Sequence, residues 1–468
     1  MRTKLAFAVF AAFAAAAPVH AGVELIAAGS LDAHQGDRAM RTARPLENGV
    51  QGNLLGGLGS GLAYAGCGSF VALPDRGPNA VSYDSAVDDT SSYIARFHTL
   101  RVDLRPAGAG AALPFALTPK LERTTLLWDL FGLYYGDGKA ANLPNGAPRE
   151  NHAFHHYFTG RSDNADPARN SGWPLNGRLD PEGIRVSVDG NAVFVSDEYG
   201  PYVYKFDRRS GRRLDSYALP AHFYVAKTAS HGADEIAGNT SGRVANKGME
   251  GLAISPDGRV LFGAMQAPLI QDGGDGAPVL RIARIDLRTR QVREYAYPLT
   301  NSGTAAKPKY NGVSEILAVN DHQLLVDERD GKGFGDGSEA KFKRVYLIDL
   351  DGAADVGKLS GAAVLAAVAV QKRPFLDVVA ELGRHGMLPS EIPAKLEGLS
   401  FGPDVTQDGR RRHTLFIAND NDFLATVTDD LHPQGADNPN RFFVFAFDDA
   451  DLPGLKPQRI EHERCDAR

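Results

Sequence analysis

The chain has 468 residues, with 51 Lys and Arg against 57 Asp and Glu and a formal net charge of −6. This mildly acidic balance argues against a nucleic-acid-binding protein, which normally carries a basic surface. The length suits either two or three ordinary domains or one large closed β architecture, and the internal repeats described below favour the second.

The first 21 residues have the pattern of a secretory signal. Arg2 and Lys4 precede an apolar run over residues 5–17, and a small-residue cleavage pattern ends at Ala21. The run is short for a membrane span, and an uncleaved anchor is the alternative. We therefore expect residues 22–468 to be one domain that is periplasmic or secreted and has no stable membrane insertion.

A strand–turn–strand pattern recurs along the rest of the chain. Each unit has a polar residue, usually Glu followed by Gly, then an apolar strand, a turn rich in Asp, Gly or Asn, a second apolar strand and a polar cluster. Two short strands around such a turn predict a β-hairpin. The polar residues that open the units, here called the anchors, are Ser60, Glu182, Glu250, Glu315 and Glu397.

The spacing of the anchors predicts six units. The interval from Ser60 to Glu182 is close to twice that from Glu182 to Glu250, so we expect a diverged unit between them, with Glu122 near its anchor. Each unit has space for four strands, the composition of a β-propeller blade. We predict an all-β fold, a six-bladed β-propeller with a few inserted loops and helices; a linear β-solenoid is the alternative.

The two ends of the chain are predicted to share one blade. The N-terminal stretch VELIAAGSL and the C-terminal stretch RFFVFAFDD (Arg441 to Asp449) both have strand character, and pairing them would protect the sheet edges. A Cys67–Cys465 disulfide would reinforce this seam, and two free thiols are the alternative. The stretch from Phe375 to Gly386 has helical spacing and predicts an inserted helix.

The hairpin geometry brings carboxylates together. The start of the first strand and the end of the second lie at the same end of a hairpin, so each anchor meets a polar cluster at one rim of the propeller. Like charges so close require compensation, for which we expect Ca²⁺ first, together with Arg76 and Arg329. A single Glu-Gly would more simply be a turn. The clusters are Asp75-Arg76, Asp197-Glu198-Tyr199, Gln266, Asp327-Glu328-Arg329-Asp330 and Asn419-Asp420-Asn421-Asp422.

These same segments resemble the phytase-like family, which is described as having esterase-like activity of phytase. The resemblance extends from about Ser60 to Phe447 and implies an exported β-propeller with acidic residues in its active centre that hydrolyses phosphate esters. Gln266 departs from a uniform acidic ring, since the preceding unit has Glu198 there. The matching segments are LPDRGPNA (Leu73 to Ala80), LDPEGI (Leu179 to Ile184), SDEYGP (Ser196 to Pro201), GMEGLAISPDG (Gly248 to Gly258) and LEGLSF (Leu396 to Phe401).

We therefore predict a Ca²⁺-assisted hydrolase of a small-molecule phosphate mono- or diester. Arg76 and Arg329 would donate to phosphate oxygens, and Glu198 would take the proton from the attacking water. Asp75, next to Arg76, completes the predicted catalytic set. The predicted metal ligands are Glu182, Glu250, Glu315, Glu397 and Asp327.

Two other functions are open from the sequence. One is a metal-dependent lactonase or sugar-ester hydrolase, and the other is a non-catalytic binding platform with structural calcium, because fold does not imply function. We expect a monomer in either case. The histidines His152, His155 and His156 are predicted to lie in a loop, with a transition-metal site as the alternative, inside a long insertion from Tyr135 to Trp173 that would form a lid.

Overall fold

The computed structural model describes residues 22–460. The predicted signal segment, residues 1–21, and Cys465 lie outside the described residues. The described chain forms five antiparallel sheets of four main strands each, here called blades 1 to 5 in the chain order of their innermost strands.

Each blade extends from an innermost strand to an outermost strand. In that order, blade 1 has Gly61–Gly66, Ser69–Leu73, Arg96–Pro106 and Phe115–Leu126. Blade 2 has Pro181–Val186, Ala192–Asp197, Tyr202–Asp207 and Arg213–Ala218. Blade 3 has Met249–Ile254, Val260–Met265, Val279–Asp286 and Val292–Pro298. Blade 4 has Gly312–Ala318, Gln323–Arg329, Lys343–Asp349 and Lys372–Asp377. Blade 5 has Lys395–Phe401, Arg410–Asp420, Asn440–Phe447 and Glu24–Leu31, with Val405–Gln407 paired to its second strand.

The five innermost strands form a closed ring. Each contacts the innermost strand of the blade before it and of the blade after it, and blade 5 contacts blade 1. Both faces of most inner strands are therefore buried between blades, which explains why they read as continuous apolar runs. In the innermost strand of blade 2, Pro181–Val186, for example, every residue is buried. This ring is the β-propeller that the repeats predict.

The predicted number of six blades is wrong. The segment between Ser60 and Glu182 contains the long outer hairpin of blade 1 and a stretch of loops, with only the two-residue strands Trp128–Asp129 and His156–Tyr157. Glu122 lies on the outermost strand of blade 1, half-exposed beside Arg101. The long outer hairpin of blade 1 and the loops over residues 127–180, rather than an extra blade, account for the long interval.

The predicted seam is confirmed. Glu24–Leu31 pairs antiparallel with Asn440–Phe447, so the two ends of the chain complete blade 5 and close the ring. Cys67 is disulfide-bonded, and its predicted partner, Cys465, lies outside the described residues.

Helices are few and short. The predicted helix begins at Val378, not at Phe375, which belongs to the outermost strand of blade 4. Asp377 caps it by accepting a hydrogen bond from the Ala380 amide. No helix within residues 22–460 is long and apolar enough to cross a bilayer. The α-helices are Gly232–Gly238, Ala362–Ala366 and Val378–Arg384, and the 3₁₀ helices are Met40–Thr42, Ser85–Val87, Lys139–Ala141, Ala221–Phe223 and Ile270–Asp272.

Of the three clustered histidines, His152 and His155 lie on a loop, as predicted. His152 and His155 exchange backbone hydrogen bonds across a tight turn, and His156 begins a two-residue strand. The His155 ring stacks on Trp128 with 3.8 Å between ring centroids. This stacking gives His155 a packing role in the loop.

Candidate functional site

The anchors converge on one end of the central channel, here called the mouth. In blades 2 to 5 the pairing register shifts at the anchor, between Pro181 and Ile184 in blade 2 and between Met249 and Gly251 in blade 3. Blades 4 and 5 have the same irregularity at Glu315 and at Glu397. A β-bulge of this kind re-aims a side chain out of the regular alternation. It therefore explains how a buried strand can direct a carboxylate towards the channel.

The glycine after the anchor has a packing reason. A Cβ at Gly183 would lie 2.5 Å from the Leu252 Cβ on the next inner strand, and one at Gly398 would lie 2.9 Å from the Gly59 oxygen. Such approaches are closer than side chains tolerate. The Glu-Gly pair thus combines a carboxylate for the channel with the absence of a side chain where neighbouring inner strands meet.

Three carboxylates form the densest group in the mouth. Asp180, Glu182 and Glu198 each offer an oxygen, and these atoms all lie within 4.8 Å of one another. All three residues are buried. Glu198 also accepts a hydrogen bond of 2.9 Å from the Gly248 amide, which ties blade 2 to blade 3. We call these three residues the carboxylate triad.

Arg76 borders the triad from blade 1. Its Nη1 donates to Asp180 Oδ2 at 2.6 Å and lies 3.8 Å from Glu198 Oε2, and its backbone amide donates to Asp180 Oδ1. Asp75 shapes this turn by accepting from the Gly77 amide at 2.9 Å. Gly77 has φ +100°, and a Cβ there would collide with the Tyr93 ring. The Asp-Arg-Gly segment is therefore a rigid support for Arg76.

The opposite side of the mouth carries its own cations. Lys395 Nζ lies 2.9 Å from Asp420 Oδ2 and also contacts Asp422 Oδ1. Arg329 forms an ion pair with Glu397. We call Lys395, Glu397, Asp420, Asp422 and Arg329 the lysine cluster.

Glu250 lies between the two groups. Its Oε1 accepts a 2.8 Å hydrogen bond from Gln266 Nε2. Burial, together with the charges of Glu198 and Glu397, raises the pKa of Glu250 well above its usual range. Gln266 stands where a uniform acidic ring would have another acid. Its side-chain amide donates to Glu250, the anchor of the same blade.

Two other predicted metal ligands, Glu315 and Asp327, belong to blade 4. Glu315 forms an ion pair of 2.9 Å with Arg185 and accepts from the Leu252 amide. Asp327 pairs with Glu315 in the strand register, and burial raises its pKa well above the usual range. The structure therefore brings Glu182, Glu250 and Glu397 to the mouth and holds Glu315 against a buried guanidinium.

Burial dominates the electrostatics of the mouth. Burial, followed by the charge of Asp180, raises the pKa of Glu198 to about 8. The pKa values of Glu182 and Asp75 are also raised well above their usual range, first by burial and then by neighbouring carboxylates. Like charges at this distance hold protons or require an added cation. The site is thus suited to binding positive charge.

A serine pattern in the sequence does not form a nucleophile. Gly398-Leu399-Ser400-Phe401-Gly402 matches Gly-x-Ser-x-Gly, which in hydrolases marks a sharp turn between a strand and a helix. Here Ser400 lies within the inner strand Lys395–Phe401, is buried, and donates its hydroxyl to the Phe401 carbonyl. It is a structural residue of the ring.

Sequence reasoning missed Asp180 and Lys395. Both stand two residues before an anchor, Asp180 before Glu182 and Lys395 before Glu397. A charge two residues before an anchor, at the start of an inner strand, was the signal available. Its meaning depends on contacts between different strands, which the repeat pattern does not reveal.

Comparison with known proteins adds the family. A family model described as "Phytase-like: Esterase-like activity of phytase" matches residues 53–423. An "Uncharacterized secreted protein" of Arthroderma benhamiae is 41% identical over 109 residues, which cover 20% of this chain and 21% of that protein. The match thus spans about a fifth of the relative's length.

Solved structures with a similar arrangement are distant. A putative 6-phosphogluconolactonase from Bacteroides uniformis has 11% identity and a TM-score of 0.30, covering 81% of this chain and 83% of its own. A periplasmic gluconolactonase of Pseudomonas aeruginosa has 12% identity and a TM-score of 0.31, covering 83% of this chain and 88% of its own. Similarity at this level supports no argument about function. The family match, in contrast, covers most of the chain, and the chain belongs to the phytase-like family.

Proposed function

We propose that the protein is an exported hydrolase of phosphate mono- or diesters, assisted by Ca²⁺ and acting at the mouth. The observation that carries this proposal is the carboxylate triad, three buried acids with oxygens within 4.8 Å of one another and the Arg76 guanidinium beside them. A site with anionic ligands for a hard cation and a bidentate donor for an oxyanion suits a phosphoryl group.

The residues of the triad fit a calcium ion. All donors are carboxylate oxygens, which Ca²⁺ prefers, and a bound cation would stabilise the ionised carboxylates against the burial and mutual repulsion that raise the pKa of Glu182. Asp180 and Glu182 are the residues that would hold the ion. When bound, the ion would supply positive charge that polarises the phosphoryl group.

The protein's own groups have separate roles in this proposal. Arg76 binds two non-bridging phosphate oxygens through its planar guanidinium, which is held in place by Asp180. Glu198 accepts a proton from the water that attacks phosphorus and returns it to the departing ester oxygen, so that the P–O bond breaks and the alcohol leaves. The scheme needs no serine nucleophile, in agreement with the buried position of Ser400. The predicted signal segment and the secreted relative support export.

The test uses the purified mature chain with p-nitrophenyl phosphate, bis-p-nitrophenyl phosphate and phytate. We expect phosphate release that requires Ca²⁺ and stops with EDTA. Glu182→Gln should lower kcat/KM by about 100-fold or more, and Arg76→Ala by about 100-fold. Glu122→Gln and Arg105→Ala, exposed residues of blade 1, are matched controls that should leave the rate unchanged.

The absence of release from all three substrates would contradict the proposal. If Ca²⁺ then still binds and raises the melting temperature, the ion is structural and the protein is a binding platform. Release that is insensitive to EDTA and to Glu182→Gln would place the activity outside the mouth.

A further inference from the structure

The two sides of the mouth differ in how their negative charge is compensated. The carboxylate triad has three acids, and Arg76 is the cation in ion-pair contact with them; Arg243 also acts on Glu198 but is paired with Glu235. The lysine cluster also has three acids, but two cations lie among them. The carboxylate triad therefore has fewer cations than its acids require, whereas the lysine cluster contains most of the positive charge that its own acids require.

Lys395 lies between two carboxylates. Its Nζ contacts Asp420, the last residue of the second strand of blade 5, and Asp422 in the turn that follows. The Asp422 amide donates to Asp420 Oδ1 at 2.7 Å, and this hydrogen bond fixes the turn. Two carboxylates converge on one positive group, and the charge of Glu397 on the same inner strand also acts on it. Carboxylate oxygens are the ligands that hard cations prefer, and the cation that they hold here is an ammonium.

The same position in another blade carries the opposite charge. Two residues before the anchor, blade 2 has Asp180, which completes the triad, and blade 5 has Lys395. The corresponding residues in the other three blades are uncharged. At this position blade 2 therefore adds a carboxylate to the mouth and blade 5 adds a cation. The uncharged residues are Leu58 in blade 1, Gly248 in blade 3 and Val313 in blade 4.

We propose that the mouth binds one divalent cation, at the carboxylate triad, and that the Lys395 ammonium permanently takes the place of a second one in the lysine cluster. The inference rests on the proposed function only in placing a Ca²⁺ ion at the triad. A substrate anion in the mouth would then lie between a metal ion and a lysine. Removal of the ammonium should open a second cation site of Asp420, Asp422 and Glu397.

The experiment is a calorimetric titration of the mature chain with Ca²⁺ alone, after treatment with EDTA and dialysis. We expect one Ca²⁺ per chain for the unchanged protein and for Lys395→Arg, which keeps the charge. Lys395→Gln should bind two. Adding Asp420→Asn to Lys395→Gln should return the number to one and so locate the new site. Circular dichroism checks that each variant is folded.

Either of two results would overturn the inference. The first is a folded Lys395→Gln variant that binds no more Ca²⁺ than the unchanged protein. The second is Glu182→Gln, with Lys395 intact, that still binds a full equivalent of Ca²⁺. This second variant decides the question even if Lys395→Gln does not fold, because Lys395 should exclude Ca²⁺ from its own cluster.

The outcome is separate from that of the proposed function. Ca²⁺ stoichiometries of one and two without any phosphate release would reject the hydrolase and keep the one-metal, one-lysine mouth. Phosphate release by an unchanged protein that binds two Ca²⁺ ions would keep the hydrolase and reject the one-metal, one-lysine mouth.

Discussion

At the scale of single residues, the fold sets the protonation state of a buried histidine. His98 lies on the third strand of blade 1 with no exposed surface, and its Nδ1 is 3.0 Å from Thr124 Oγ1. Burial lowers the pKa of His98 to about 4. The charged groups facing it are Asp37 and Arg96, which form an ion pair of 2.6 Å with each other. The folded state therefore keeps His98 neutral.

This pKa predicts a specific loss of stability in acid. Because the folded pKa lies below the unfolded value of about 6.5, the unfolded chain takes up more protons between these two pH values, and stability falls as the pH drops through that range. Lowering the pH from 6.5 to 4 should cost the unchanged protein about 2 to 3 kcal/mol more than His98→Gln. Urea unfolding at several pH values measures the difference.

His152→Gln, at an exposed loop position, is the matched control, and its stability should depend on pH in the same way as that of the unchanged protein. Equal pH dependence in His98→Gln and the unchanged protein would show that His98 does not titrate as the buried environment requires.

At the scale of elements, one side chain crosses the channel and joins inner strands. Arg185 of blade 2 donates to the Leu62 carbonyl of blade 1 and to the Ile316 carbonyl of blade 4. It also forms the ion pair with Glu315, and both side chains are almost fully buried. A buried charge that loses its partner is costly, whereas loss of both partners is much less so. Arg185 and Glu315 should therefore behave as a unit.

We expect Arg185→Met to lower the free energy of unfolding by about 3 to 5 kcal/mol, because Glu315 and two carbonyls lose their donor. Arg185→Met combined with Glu315→Gln should recover a large part of the loss. Guanidinium unfolding of the single and double variants gives the coupling between the two residues.

Arg290→Met is the surface comparison, since Arg290 pairs with Asp215 at an exposed site and should contribute about 1 kcal/mol or less. If the double variant is as unstable as the two single losses added together, the pair does not act as a unit.

At the scale of the whole molecule, the ring closes with strands from both ends of the chain. Glu24–Leu31 is the outermost strand of blade 5 and covers the edge that Asn440–Phe447 would otherwise expose. Ile26 on this strand has no exposed surface and packs in a core shared with Leu62 and Phe70 of blade 1. The N-terminal strand is therefore part of the contact between the last blade and the first.

Two substitutions on this strand test its role. Ile26→Asp places a carboxylate in the core between blades and should lower the free energy of unfolding by several kcal/mol. Ala28→Asp, an exposed position on the same strand, should change it by about 0.5 kcal/mol or less. Thermal unfolding and light scattering report both variants, and equal stability of the two would mean that the strand is not integral to the closed ring.

The sequence by itself determined the all-β propeller class, the hairpin units, the shared blade of the two chain ends and the convergence of Glu182, Glu250 and Glu397. These follow from local periodicity and turn chemistry, and from the antiparallel geometry that places an anchor and a polar cluster at one rim. The prediction of six blades instead of five also has a local cause. The long outer hairpin of blade 1 alternates apolar and polar residues, as the strands of an extra unit would.

Only the tertiary structure decided which charges meet. Glu315 repeats the anchor pattern, yet it pairs with Arg185 across the channel, while Asp180 and Lys395 enter the mouth without belonging to the pattern. Such pairings depend on the radial depth of each side chain and on contacts between different blades. Neither the radial depth of a side chain nor its contacts with another blade repeats with a sequence period, because both are set by how five inner strands pack around one axis.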